Sequence, residues 1–239
     1  MKKYPILILH GWNLSGKKFK PLKEILEKNG YRVLSPDLPG FGENTFLSKP
    51  LVLNDYVKFV YDYLKRNNIN RVILIGHSFG GRIAIKFTSD YQQRVKFLIL
   101  SGVPGFVPVN RLKITLFFFI SKIGGIIFKI PPFIFFQEIA RRFLYKLAGT
   151  RDYMYTKGEL RITFKSIIKE DLIQYMKKIK VGTLLIWGQK DRTVPLFIAR
   201  KMEKVIIGAK LIIIPNAFHN LPYVQPEKFM KAIKDYIYT

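Results

Sequence analysis

Short apolar runs recur along the chain at 6–9, 32–35, 72–75, 95–100, 183–187 and 211–214. Polar residues scarcely alternate within them, as expected of strands buried on both faces rather than of a half-exposed antiparallel sheet. Between the runs the apolar spacing lengthens to three and four. The segment 53–67 sets Val57, Val60, Tyr61 and Leu64 on one helical face, with Asn54 in position to cap it. A second helix is predicted over 82–89. The segment 195–205 opens on a proline suited to a first turn and aligns Ala199, Met202 and Val205. The segment 226–238 repeats the pattern with Phe229, Ile233 and Ile237. Strands separated by helical crossovers predict an α/β fold, a mostly parallel, doubly wound sheet of about six strands.

Residues 103 to about 176 break this alternation. Gly102-Val103-Pro104-Gly105 is loop chemistry. Then come Phe117-Phe118-Phe119, Gly124-Gly125, Pro131-Pro132 and Phe135-Phe136, followed by a basic helical stretch over 138–148. With no strand pattern here, an inserted helical cap is expected over 106–176, on a core built from 1–105 and 177–239. The most apolar part, 114–136, is interrupted by Lys122 and Lys129. Its uncharged runs fall short of the roughly 20 residues that span a bilayer. The first residues carry two lysines, but the apolar run after them is too short for a secretion signal. An intracellular, cytoplasmic protein is expected.

Composition narrows the chemistry. The 239 residues include no cysteine, which excludes disulfides, thiolate catalysis and Cys-ligated zinc. No cofactor and no metal is expected. Lys and Arg number 41 against 16 Asp and Glu, a net charge of +25. The excess is dispersed, with mild enrichment in the middle, and reads first as a lysine-rich solvated surface. An acidic carrier protein or an anionic membrane surface are the specific alternatives. Nucleic acid is not expected, because no recognisable binding module accompanies the charge.

Gly76-His77-Ser78-Phe79-Gly80-Gly81 lies between a predicted strand and a predicted helix. A strand that turns abruptly into a helix strains its turn residue, and neighbours without Cβ atoms make room for that geometry. Ser78 then stands at the carboxyl edge of the sheet, where open α/β folds bind ligands. A nucleophilic serine needs a base, and the chain has three histidines. His10 ends the first strand and is read as a structural tie for its loop. His77 adjoins Ser78, so its side chain points away. His219, just after the last strand, is the candidate base. Asp191, after the strand at 183–187, is the candidate acid that orients the imidazole, against the blander reading of a helix cap. The backbone N–H groups of Phe79 and Trp12 are the candidate oxyanion donors.

These residues carry a resemblance. His10-Gly11-Trp12, Asp37-Leu38-Pro39-Gly40-Phe41-Gly42, the Ser78 turn, Trp187-Gly188 with Asp191 and Pro195, and the His219 loop resemble the α/β-hydrolase fold family, in its single-cap esterase, lactonase and C–C hydrolase branch. The order Ser78, Asp191, His219 matches that family's. The resemblance implies a core lacking the family's two leading strands. It also implies a serine hydrolase acting on carboxylic esters or lactones through an acyl-enzyme, and Phe117, Phe118 and Phe136 of the cap are candidates to line an apolar pocket. A second implied reading is hydrolysis of acyl groups on an acidic carrier protein, met by Arg141-Arg142 or by Arg111 and Lys113. A third is docking of segment 112–136 on anionic lipid. Ala217-Phe218 departs from the family's usual glycine before the histidine and puts a bulky ring beside the base.

Overall fold

The computed structural model describes residues 3–106 and 158–238. The expected cap aromatics Phe117, Phe118 and Phe136, the basic pairs at 111–113 and 141–142, the apolar stretch 114–136 and the helix at 138–148 lie outside them. Six strands form one sheet: β1 (Ile6–Leu9), β2 (Val33–Leu34), β3 (Val72–His77), β4 (Val95–Ser101), β5 (Thr183–Gly188) and β6 (Lys210–Ile214). Their order is β2-β1-β3-β4-β5-β6, and every described pair is parallel. Register aligns Ile8 with Ile75, Ile75 with Ile99, and Leu185 with Leu211.

Eight α-helices are described: α1 (Lys20–Lys28), α2 (Leu53–Arg66), α3 (Phe79–Asp90), α4 (Gly158–Lys169), α5 (Ile173–Lys178), α6 (Leu196–Val205), α7 (Leu221–Val224) and α8 (Pro226–Ile237). Alternate strand residues face opposite sides, and both sides are covered. Leu7, Leu9, Leu74, Leu98, Leu100, Leu185 and Trp187 meet apolar faces of α2, α3, α5 and α6. Ile6, Ile8, Ile73, Ile75, Ile99, Leu184 and Ile186 meet α1, α7 and α8. Burial on both faces explains why the strands lack polar alternation. Each buried Ile or Leu contributes roughly 1.5–3 kcal/mol of transfer free energy.

Two local expectations need correction. Asn54 does not cap α2. Val52 holds that place, and Asp55 in the first turn accepts the Val52 N–H at 2.8 Å, which leaves Asn54 as an exposed helical residue. Pro195 precedes α6 as its cap residue rather than opening its first turn. Helix α1 was not expected, although Leu22 and Leu26 sit one turn apart and both are fully buried. Helix α5 begins inside the stretch assigned to the cap, and its Met176 is buried in the core.

Candidate active site

Ser78 joins β3 to α3 with φ 51° and ψ −115°, a region that residues with a Cβ rarely occupy. Neighbouring backbone holds it there. The Ser78 N–H donates to Ser101 O at 2.9 Å, and the Gly80 N–H donates to His10 O at 3.0 Å. A Cβ on Gly80 would stand 2.2 Å from the Leu9 carbonyl oxygen, so only glycine lets α3 start this close to β1. The Phe79 N–H opens α3 and has no acceptor within the helix, at the positive end of the helix dipole. Trp12 stands opposite in the turn Gly11–Leu14, its ring 5.1 Å from that of Phe79.

Asp191 and His219 come from the loops after β5 and β6. His219 Nδ1 lies 2.8 Å from Asp191 Oδ2. A carboxylate only accepts, so the proton sits on Nδ1 and Nε2 is left as the basic nitrogen. Asp191 Oδ1 accepts the N–H groups of Thr193 and Val194 at 2.9 and 2.8 Å. One oxygen thus turns the loop ahead of α6 and the other holds the imidazole; Asp191 does not cap α6, whose cap residue is Pro195. The Lys190 N–H donates to Ala217 O at 2.8 Å and ties the two loops together. Phe218 turns its ring outward, 50% exposed, and does not crowd the histidine.

The His219 ring lies against Gly102, where a Cβ would stand 2.8 Å from it and 3.4 Å from Asp191 Oδ2. Its centroid is 4.8 Å from that of His77, the residue before Ser78. Ser78, Asp191 and His219 are thus gathered at the carboxyl edge of β3, β5 and β6. Ser78 is half-buried, and its Oγ makes no hydrogen bond to a described residue. Such bonds are often long until a substrate is seated.

The other two histidines are buried ties. The Leu38 N–H donates to His10 Nε2 at 2.9 Å, so Nδ1 is the protonated nitrogen and donates to Gly11 O at 2.8 Å. This joins the loops after β1 and β2. Burial lowers the pKa of His10. His77 Nδ1 lies 3.1 Å from Ser101 O, and burial, with His219 nearby, pushes its pKa well down. Asp37 Oδ1 accepts the Gly16 N–H and Oδ2 the Glu43 N–H, at 2.6 and 2.8 Å.

Sequence reasoning missed two contributors. In the sequence Gly102 reads only as a loop residue, yet its φ of +60° and its contact with His219 set the imidazole's floor. Arg82, one turn beyond Ser78, is buried and donates to the carbonyls of Pro104, Ile167 and Glu170, the second at 2.8 Å. Burial lowers its pKa to about 10. Lys86 pairs with Glu170. Ring contacts among Trp12, Phe41, Phe79 and Phe164, with centroids 4.8–5.9 Å apart, build an aromatic wall beside the Ser78 turn. Among the described residues no group of three or more His, Asp or Glu side chains could hold a metal ion, and no helix is long and apolar enough to cross a membrane.

Known proteins resemble this chain in sequence and fold. Residues 4–161 match the family model described as alpha/beta hydrolase fold. The chain is 28% identical to the AB hydrolase superfamily protein YisY of Bacillus subtilis, over 97% of this chain and 91% of that protein. It is 24% identical to the 2-hydroxy-6-oxononadienedioate/2-hydroxy-6-oxononatrienedioate hydrolase of Klebsiella pneumoniae, over 98% and 87%. An esterase structure from Exiguobacterium antarcticum superposes with a TM-score of 0.76 at 23% identity, over 99% of this chain and 92% of that one. A sheet, a strained serine turn and a matched family model agree: this chain is a hydrolase belonging to the alpha/beta hydrolase fold family.

Proposed function

We propose that the protein is a serine hydrolase that cleaves carboxylic esters with an apolar acyl or alcohol group. The observation that carries this reading is the 2.8 Å pair of Asp191 and His219, set at the sheet edge where Ser78 is held at positive φ. Asp191 fixes the tautomer, so His219 Nε2 can take the Ser78 proton as Oγ attacks the ester carbonyl. Negative charge develops on the carbonyl oxygen beside the N–H groups of Phe79 and Trp12, where each such donor lowers the barrier by about 3 kcal/mol. As the C–O bond breaks, His219 returns its proton to the leaving alcohol and Ser78 keeps the acyl group. Water then gives a proton to His219 and attacks the acyl carbon. The acid leaves and the proton returns to Ser78.

The aromatic rings packed beside the Ser78 turn give the site an apolar setting, which favours an apolar substrate. The Klebsiella relative is named as a 2-hydroxy-6-oxononadienedioate hydrolase, so a 2-hydroxy-6-oxo dienoic acid belongs in the test beside esters, lactones and thioesters. Steady-state turnover across that panel should be highest for apolar esters. Ser78→Ala should abolish it, and Asp191→Asn should lower kcat by about 10²–10⁴ with the fold intact. Turnover by Ser78→Ala at the wild-type rate would overturn the proposal.

A further inference from the structure

In a parallel sheet all strands start at one edge, and here each start carries a basic residue. Lys3 precedes β1, Arg32 β2, Arg71 β3, Arg94 β4 and Lys180 β5, while Lys210 opens β6 and Lys96 is the second residue of β4. With strands about 4.8 Å apart, the row spans about 24 Å. None of these seven residues is ion-paired with a carboxylate among the described residues. Lys3 donates to Asn29 O and Arg94 to Ile69 O and Asn70, and aromatic rings support the row: Arg71 and Lys96 lie over Tyr4 at 5.9 and 5.7 Å, Lys210 over Tyr236 at 5.7 Å, and Lys3 over Tyr238 at 5.2 Å. Between them a cleft of about 240 Å³ is lined by Tyr4, Lys96, Phe97 and Tyr236 among others. At the same edge the turn from α6 to β6 projects Ile207, 80% exposed, between Lys204 and Lys210, and Tyr238 is 42% exposed.

Helix dipoles do not account for the row. The crossover helices end at this edge, and their own terminal lysines, such as Lys28, Lys65 and Lys204, already face those negative ends. The strand-start cations are additional. Acids at this edge are few. Asp90 ends α3, Asp235 lies in the last turn of α8, Glu27 pairs with Lys23, and Glu203 accepts the Leu211 N–H.

We infer that this amino edge, opposite the Ser78 edge, is a docking face for an anionic lipid bilayer. A shaped acidic partner would call for converging charges. This row is broad and without ion pairs among the described residues, and it carries an exposed isoleucine and tyrosine of the kind that settle at a lipid–water boundary. The Ser78 edge then faces water while the protein is bound.

The test is co-sedimentation of the full chain with phosphatidylcholine vesicles, with or without phosphatidylglycerol, and with polyuridylate as a competing polyanion. Binding is expected on phosphatidylglycerol vesicles alone, weakening with salt. Arg71→Gln/Lys96→Gln/Lys210→Gln should reduce it by tens of fold to about a hundredfold. Lys18→Gln/Lys228→Gln/Lys231→Gln, ahead of α1 and in the first half of α8, should change it less than threefold. Ile207→Ser should weaken it several-fold further. Turnover of a soluble ester and the melting temperature, unchanged in the edge variant, show that it is folded. Equal losses in the two triple variants, no vesicle binding at low salt, or binding to polyuridylate alone would overturn the inference.

Discussion

Ser78, Gly102 and the three histidines show how single residues set the chemistry. Ser78 was legible because a strand, a glycine-flanked serine and a helix follow each other in sequence. His219 and Asp191 were legible by elimination and by place after a strand. Gly102 was not, because its partner is 117 residues away and only the fold brings His219 over it. Gly102→Ala combines a strained φ with a Cβ in the imidazole's space. It should cost about 1–3 kcal/mol of stability and lower kcat at least tenfold, read by melting curves beside ester kinetics. Wild-type kcat in a folded Gly102→Ala would remove the glycine from the site. His10 and His77 give a pH prediction. Both have native pKa values lowered by burial, whereas in the unfolded chain each titrates near about 6.5. Below that pH the unfolded state binds protons that the folded state refuses. Stability should therefore fall as pH drops from about 6.5 toward the native values, by up to about 1.4 kcal/mol per pH unit for each histidine. Urea denaturation at several pH values between 7.5 and 5 reads this directly, and a flat profile would contradict it.

Strands and crossover helices were readable from apolar spacing, since burial on both faces leaves a plain record of continuous Ile, Val and Leu. Helix ends were less so. Asn54 lost the cap of α2 to a back-bond from Asp55, a choice between neighbouring polar residues that spacing does not decide. The element-scale surprise is Arg82, whose guanidinium joins α3 to the loop after β4 and to the end of α4. A lone arginine after paired glycines gave no sign of that, because its acceptors are distant carbonyls. Arg82→Met should cost about 2–4 kcal/mol by leaving those carbonyls unpaired, seen as a lower urea midpoint. Because Pro104 follows the Gly102 loop, kcat/KM should fall with it. A stability change under 0.5 kcal/mol would show that Arg82 ties nothing.

Across the whole molecule, the parallel sheet separates two edges. One gathers the serine, histidine and carboxylate, while at the other the strand starts carry basic residues that form no ion pair among the described residues. Composition alone could not resolve this, because the cations lie far apart in sequence and share an edge only through the topology. The most direct measurement of the central claim is the rate at which a fluorophosphonate labels Ser78, followed by intact mass and peptide mapping. One adduct, on Ser78, is expected in the wild type. His219→Ala should slow its formation by about 10²–10⁴ at an unchanged melting temperature. An adduct elsewhere, or labelling of His219→Ala at the wild-type rate, would contradict the account.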